Sequence, residues 1–266
     1  MKKLLIILLI ALTLAGCTPK DADKDKNTSS LQEIKDNRKM IVGFTNYPPL
    51  GFKDETGKET GLDLDLAKEV AEIIGVDVEF QYIDWDNKTF ELNNKNIDMI
   101  WNGFTISEDR KKEVNFSKPY MDNQIVILSR ADKPIKKISE LEGLDVAVET
   151  QSSGQTGLEK SDVFTSIKEM QKYTNIADAL LALNAKTVDA VVADITYAGY
   201  VLSKNKSDYV ISDEKLDSEY YGIGFRKNDD DSLRDAVDAA IDSLIADGTA
   251  KDISIKWLDK DLILRP

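Results

Sequence analysis

Apolar residues fall into short runs separated by polar loops that contain glycine or proline, the pattern of a chain that alternates strands with helices. Met40 to Phe44 is one such run. It is cut off by Thr45-Asn46-Tyr47-Pro48-Pro49-Leu50-Gly51-Phe52, where the prolines forbid regular structure, so a strand leading into a loop is predicted. Asp54 to Thr60 reads as a polar turn. Leu66, Ala67, Val70, Ala71 and Ile74 then recur at helical spacing, with Gly75 where a left-handed C-terminal residue belongs. Val76, Val78, Phe80 and Tyr82 alternate with polar residues as in a half-buried strand. A short helix from Trp85 to Leu92 feeds the apolar run Ile97-Asp98-Met99-Ile100. Later strands are predicted at 125–128, 146–148, 188–193 and 220–225. Ile138 to Leu141 forms a helical turn, and helices carry Ile176, Ala179, Leu180 and Leu183, residues 195 to about 204, and Leu233, Val237, Ile241 and Leu244 up to Gly248. This alternation predicts an α/β architecture with parallel sheets, in which ligands lie beyond the C-terminal ends of strands.

Two strand-to-loop junctions carry chemistry. Trp101-Asn102-Gly103-Phe104-Thr105-Ile106-Ser107-Glu108-Asp109-Arg110 runs from a buried strand into a polar loop closed by one arginine. Gly103 permits close backbone approach, Thr105 and Ser107 supply hydroxyls, and the Arg110 fork matches a carboxylate bidentately. The same stretch also fits a capped turn, with Ser107 as N-cap and Arg110 in a surface ion pair. Glu149-Thr150-Gln151-Ser152-Ser153-Gly154 is a second such loop, and a helix starting there could receive an anion.

The N-terminus gives an address. Lys2-Lys3, an apolar run from Leu4 to Leu12 and Thr13-Leu14-Ala15-Gly16-Cys17 follow the order of a secretory signal. The run is too short for a permanent span, which needs about 20 residues. Leu14-Ala15-Gly16-Cys17 resembles the lipobox of bacterial lipoproteins, which implies a signal peptide over residues 1–16 and lipidation of Cys17. Residues 17–30 lack apolar periodicity and read as a tether.

Composition narrows the chemistry. The formal net charge is −13, which disfavours nucleic-acid partners. With no histidine and one cysteine, His-based triads, Cys/His zinc sites and an internal disulfide are excluded. No metal or cofactor site is expected.

Taken together, several pieces resemble one family. They are Gly61-Leu62-Asp63-Leu64-Asp65-Leu66-Ala67, Ile97-Asp98-Met99-Ile100, the Gly103–Arg110 loop, Phe116-Ser117-Lys118-Pro119-Tyr120, Val188-Asp189-Ala190 followed by Asp194, and Tyr221-Gly222-Ile223-Gly224. In order and spacing they resemble the bacterial solute-binding lipoproteins of polar amino acid ABC transporters, across essentially the whole mature chain. The resemblance implies a two-lobe, periplasmic-binding-protein-like fold of type II, each lobe a mixed sheet flanked by helices, joined by two hinge strands. It implies lobe 1 over 31–122 and 219–266, lobe 2 over 123–218, and a monomer anchored by lipid outside the cytoplasm that delivers an amino acid to an ABC permease. It also implies that Arg110, with Thr105 and Ser153, grips the ligand α-carboxylate, that Asp194 and the Gly103 carbonyl take the α-ammonium, and that Tyr47 and Trp85 flank the side chain. Trp85 equally suits a core position, and Asp194 an N-cap. Relatives usually carry an aspartate after the first strand, where this chain has Phe44-Thr45-Asn46. Glu149 suits a cationic ligand such as arginine or lysine if it faces the pocket; glutamine and cystine stay open, as does a solvent-facing position for Glu149. A sensor, an adhesin and an enzyme on the same fold are the competing readings.

Overall fold

The computed structural model describes residues 28–264. The signal peptide expected over residues 1–16 and the expected lipidation site Cys17 lie outside the described residues. Ser30, assigned from the sequence to the tether, instead begins helix α1 (Ser30–Asn37), capped by the Ser29 hydroxyl and tied by its own amide to Asp230 at 2.7 Å.

The first half of the fold comprises β1 (Lys39–Phe44), the small hairpin of β2 (Phe52–Lys53) and β3 (Glu59–Thr60), helix α2 (Leu62–Ile74), β4 (Asp77–Tyr82), a 3-10 turn at Trp85–Asn87 continuing into α3 (Lys88–Asn93), β5 (Met99–Thr105), α4 (Arg110–Glu113) and β6 (Val114–Phe116). The long strand β7 (Met121–Arg130) leads into β8 (Asp145–Glu149), α5 (Ser153–Lys160), β9 (Glu169–Tyr173), α6 (Ile176–Asn184), β10 (Ala190–Asp194) and α7 (Ile195–Lys204). An 18-residue strand, β11 (Tyr209–Arg226), returns the chain to α8 (Ser232–Asp247) and α9 (Thr249–Leu258).

The sheet runs β4-β1-β5-β11-β7-β10-β8-β9, with β6 also on β11. β1 pairs in parallel with β4 and β5, and β8 with β9 and β10, whereas β7 and β11 are antiparallel to their neighbours. The sheet is therefore mixed, as the family resemblance implies and not purely parallel as the alternation alone predicts, and β7 and β11 run through both of its halves. Strands β5 and β10 are buried along their whole length, as strands covered on both faces must be. Separate apolar clusters fill the two ends: Ile83, Leu92, Ile97, Ile100 and Phe104 at one, Ile125, Ile127, Val146, Val148 and Leu158 at the other.

Gly61 sets the start of α2. Its φ of +136° is open to glycine, and a Cβ there would lie 2.2 Å from the Leu50 carbonyl oxygen. The helix so placed points Asp63 at β5. Its carboxylate accepts from the Gly103 amide at 2.7 Å and from the Tyr120 hydroxyl at 2.8 Å. Burial pushes this carboxyl up to about 7, against the pull of those donors. Asp63 thereby holds Gly103 at φ +63°, and Gly103 is the point where β5 meets the site.

Candidate functional site

The C-terminal ends of β1, β5, β8 and β10 converge on a narrow cleft lined by Tyr47, Trp85, Gly103, Arg110, Glu149, Ser153 and Asp194 among others. Seven of the eight residues singled out in the sequence meet there. Thr105 does not line it but holds Arg110 through its carbonyl oxygen at 3.0 Å, while its hydroxyl donates to Glu219 at 3.1 Å. Asn102, from the first of the two strand-to-loop junctions, also lines the cleft, together with Thr45 and Ser152, which were not anticipated as such. Asn102 accepts from the Thr45 amide at 2.8 Å and from its hydroxyl at 3.0 Å, so a polar residue inside a buried strand organises the loop after β1.

Arg110 spans two segments of the chain. Besides Thr105, its guanidinium donates to the Ser153 hydroxyl at 3.2 Å and to the Gln151 carbonyl at 3.1 Å, and its Cζ sits 4.9 Å over the Phe104 ring. Every one of these acceptors is neutral. No carboxylate forms an ion pair with Arg110 among the described residues, so the surface-pair alternative does not hold. The Ser107 hydroxyl does accept from the Arg110 amide, at 3.3 Å, so the turn and the charge site coexist. Ser152 caps α5 by accepting from the Gln155 amide at 3.1 Å, which aims the first turn of that helix at the cleft.

Across the cleft lies Asp194, 7% exposed. It occupies the N-cap position of α7 without a side-chain cap bond. Its carboxylate instead accepts from the Tyr221 hydroxyl at 2.7 Å, and Tyr221 is bonded in turn to Thr196 at 3.1 Å. Burial raises the Asp194 carboxyl, and the Tyr221 bond opposes that rise. Tyr47 is 8% exposed and packs at 5.2 Å on Tyr197. Trp85 meets Phe104 edge-on at 5.6 Å, so it serves both as core and as cleft wall.

Glu149 is 4% exposed, which rules out the solvent-facing alternative. Burial and the neighbouring Asp194 charge push its carboxyl up to about 8. A carboxyl raised on folding contributes stability that is fully present below its ordinary range and is lost as pH rises through about 8. Glu149→Gln removes that loss. In a thermal melt between pH 5 and 8.5, the ligand-free variant should gain melting temperature relative to the parent at the alkaline end, corresponding to up to about a few kcal/mol of stability. A difference that stays constant with pH would count against a buried, proton-linked Glu149.

The fold and this cleft define an α/β binding protein whose site is assembled from two parts of the chain and opens at the ends of its strands. Residues 40–260 match the model of the bacterial extracellular solute-binding proteins, family 3, and the chain belongs to that family. It is 32% identical over 276 residues to the ABC transporter glutamine-binding protein of Bacillus subtilis (strain 168), covering 98% of this chain and 99% of that one. Among solved structures, an ABC uptake transporter substrate-binding protein from Streptococcus pneumoniae with bound histidine superposes with a TM-score of 0.85 at 31% identity, covering 89% of this chain and 99% of the other. The arginine-bound form of a truncated ArgBP from T. maritima matches with a TM-score of 0.74 at 38% identity, covering 80% and 99%. The type II periplasmic-binding-protein fold implied by the sequence is thus the observed one.

Proposed function

We propose that the chain captures a free polar L-amino acid between two closing lobes, residues 31–122 with 219–266 and residues 123–218, and delivers it to an ABC import permease. The single observation that carries the reading is Arg110: a cationic fork bridging the two proposed lobes, bound only to neutral oxygens, and facing the buried Asp194. A zwitterion excluded from water needs both charges paired. In this reading Arg110 takes the α-carboxylate with help from Thr105 and Ser153. Asp194 and the Gly103 carbonyl take the α-ammonium, Tyr47 and Trp85 flank the side chain, and Glu149 faces its far end. Glu149 taken alone favours a cationic side chain. The protein works outside the cytoplasm as a monomer held to the membrane by lipid on Cys17 after loss of residues 1–16. It releases its ligand unchanged, without catalysis.

Melting curves against the twenty L-amino acids and cystine test this directly. At least one should raise the melting temperature in step with the logarithm of its concentration, with about 2.7 kcal/mol of stabilisation at a hundred times its Kd. The same compound should be recovered intact after long incubation. A panel without any shift, or conversion of the ligand, would refute the proposal.

A further inference from the structure

The hydroxyl that would help Arg110 hold a ligand carboxylate is already engaged. Thr105 has one O–H to donate, and its Oγ1 donates it to Glu219 Oε2 at 3.1 Å. Only lone pairs are then left for the ligand, and a carboxylate that approaches them sets oxygen against oxygen. The fold holds Glu219 in this place. It pairs with Asn123 of β7 and stands two residues before Tyr221, which pairs with Thr105 of β5. The two-residue period of a strand puts Glu219, Tyr221 and Thr105 on one face of the sheet. On that face Tyr221 reaches Asp194, a residue of the cleft wall. The charges that bear on Glu219 are Asp194 at the end of β10, the Arg110 guanidinium of α4 and Asp217 on its own strand; the buried Asn123 amide beside it is neutral. Arg110 favours the ionised form of Glu219 but is bonded to three neutral oxygens instead. Burial, and after it the Asp194 charge, push the Glu219 carboxyl up to about 7.

We infer that Glu219 is a positioning residue of the ligand site: protonated, it turns the Thr105 hydroxyl toward the ligand carboxylate, and ionised, it holds that hydroxyl away. In the protonated form the Glu219 O–H donates to Thr105 Oγ1, and the Thr105 hydrogen is free to rotate toward the ligand. No heavy atom has to move. The proton comes from solvent, so binding takes one up. Neutral Glu219 also leaves the ligand carboxylate as the nearest anion for Arg110. The inference rests on Arg110 and Thr105 holding an α-carboxylate as proposed above. Its sign follows: a ligand that prefers protonated Glu219 binds best below about 7 and weakens as pH rises through that value.

Calorimetry between pH 5.5 and 8.5 on the parent, Glu219→Gln, Thr105→Val, the double variant and Arg110→Ala tests this, with glutamine, histidine, arginine, lysine and cystine as probes. The amide of Glu219→Gln donates to Oγ1 at every pH and so stands in for the protonated carboxyl. With the tightest of the five probes, Glu219→Gln should bind within a factor of about two of the parent at pH 5.5 and about 10-fold more tightly than it at pH 8.5. The ratio taken at each pH removes the titration of the probe itself. At pH 7.5, titrations in two buffers of different ionisation enthalpy should show proton uptake by the parent and less by Glu219→Gln. In the Thr105→Val background the alkaline advantage of Glu219→Gln should largely vanish. If Glu219 only supports the strands, the ratio of Glu219→Gln to parent stays constant with pH, which overturns the inference. So does an alkaline advantage that survives in full in Thr105→Val, since it would act through charge and not through the hydroxyl. Failure of the underlying reading has its own signature and takes this inference with it: none of the five binds, or the tightest keeps its affinity in Arg110→Ala.

Discussion

Arg110→Ala is expected to weaken the cognate amino acid by about 30- to 5,000-fold, the equivalent of roughly 2–5 kcal/mol. Most of that loss comes from a ligand carboxylate left in the cleft without a partner, not from the strength of the pair itself. The present partners of the guanidinium suit this role. Thr105 and Gln151 offer carbonyl oxygens and Ser153 a hydroxyl, so the fork is oriented without being neutralised. Because two of those acceptors lie beyond β7 and the third ends β5, the substitution also removes a link between the two sides of the cleft. Calorimetry on the variant, with a melt to show that it is folded, decides the matter. An affinity within a factor of about three of the parent would remove Arg110 from ligand contact. Arg110→Lys separates charge from shape: a lysine restores the charge but not the bidentate fork, so it should recover only part of the affinity.

The residues of this site differ in how visible they are in the sequence, for physical reasons. Arg110, Glu149 and Asp194 each follow an apolar run, and the junction between a buried strand and a polar loop is where a buried sheet can present charge. Asn102 is legible only from its place just before such a junction, and the neighbouring buried Lys88 gives no such signal. Asn102 lies inside β5, and its burial is tolerable because Thr45, far away in the chain, donates to it twice. Lys88 reads as a solvated charge in a polar helix until the fold folds Trp85 over its ammonium. The same contrast runs through the fold. Helix α8 was plain from its periodic Leu233, Val237, Ile241 and Leu244, and Gly248 does stop it in a left-handed conformation at φ +91°, but the chain restarts at once in α9. Strand β9 (EMQKY) has no buried residue, and the middle of β11, residues 212–219, is largely charged; both are held by backbone pairing to β8 and β7, which hydrophobic periodicity does not encode. Those missed pairings matter, since β7 and β11 are the strands through which the two halves of the sheet connect.

Asp194→Asn should separate ligand binding from folding. The carboxylate is buried and accepts from Tyr221, and a ligand ammonium would add the one positive partner it lacks on the cleft side. Replacing it by an amide of the same shape keeps a hydrogen-bond acceptor and loses the charge, so affinity should fall about 10- to 150-fold. Stability should move the other way. The folded carboxyl is raised above its ordinary range by burial, so ionising it at neutral pH costs free energy in the ligand-free protein, and a neutral amide avoids that cost. The ligand-free variant should therefore melt no lower than the parent at pH 7, and its advantage should shrink as pH falls and the parent's carboxyl becomes protonated. An Asp194 that served only as the cap of α7 would behave differently: the helix start would weaken, melting temperature would drop, and ligand affinity would follow only indirectly. Melting curves at several pH values alongside calorimetry distinguish the two, and a variant that loses stability while keeping its affinity would move Asp194 out of the site. Tyr221→Phe supplies the control. It removes the hydroxyl that now favours the charged Asp194 while leaving the cleft wall in place, so it should weaken binding far less than Asp194→Asn does.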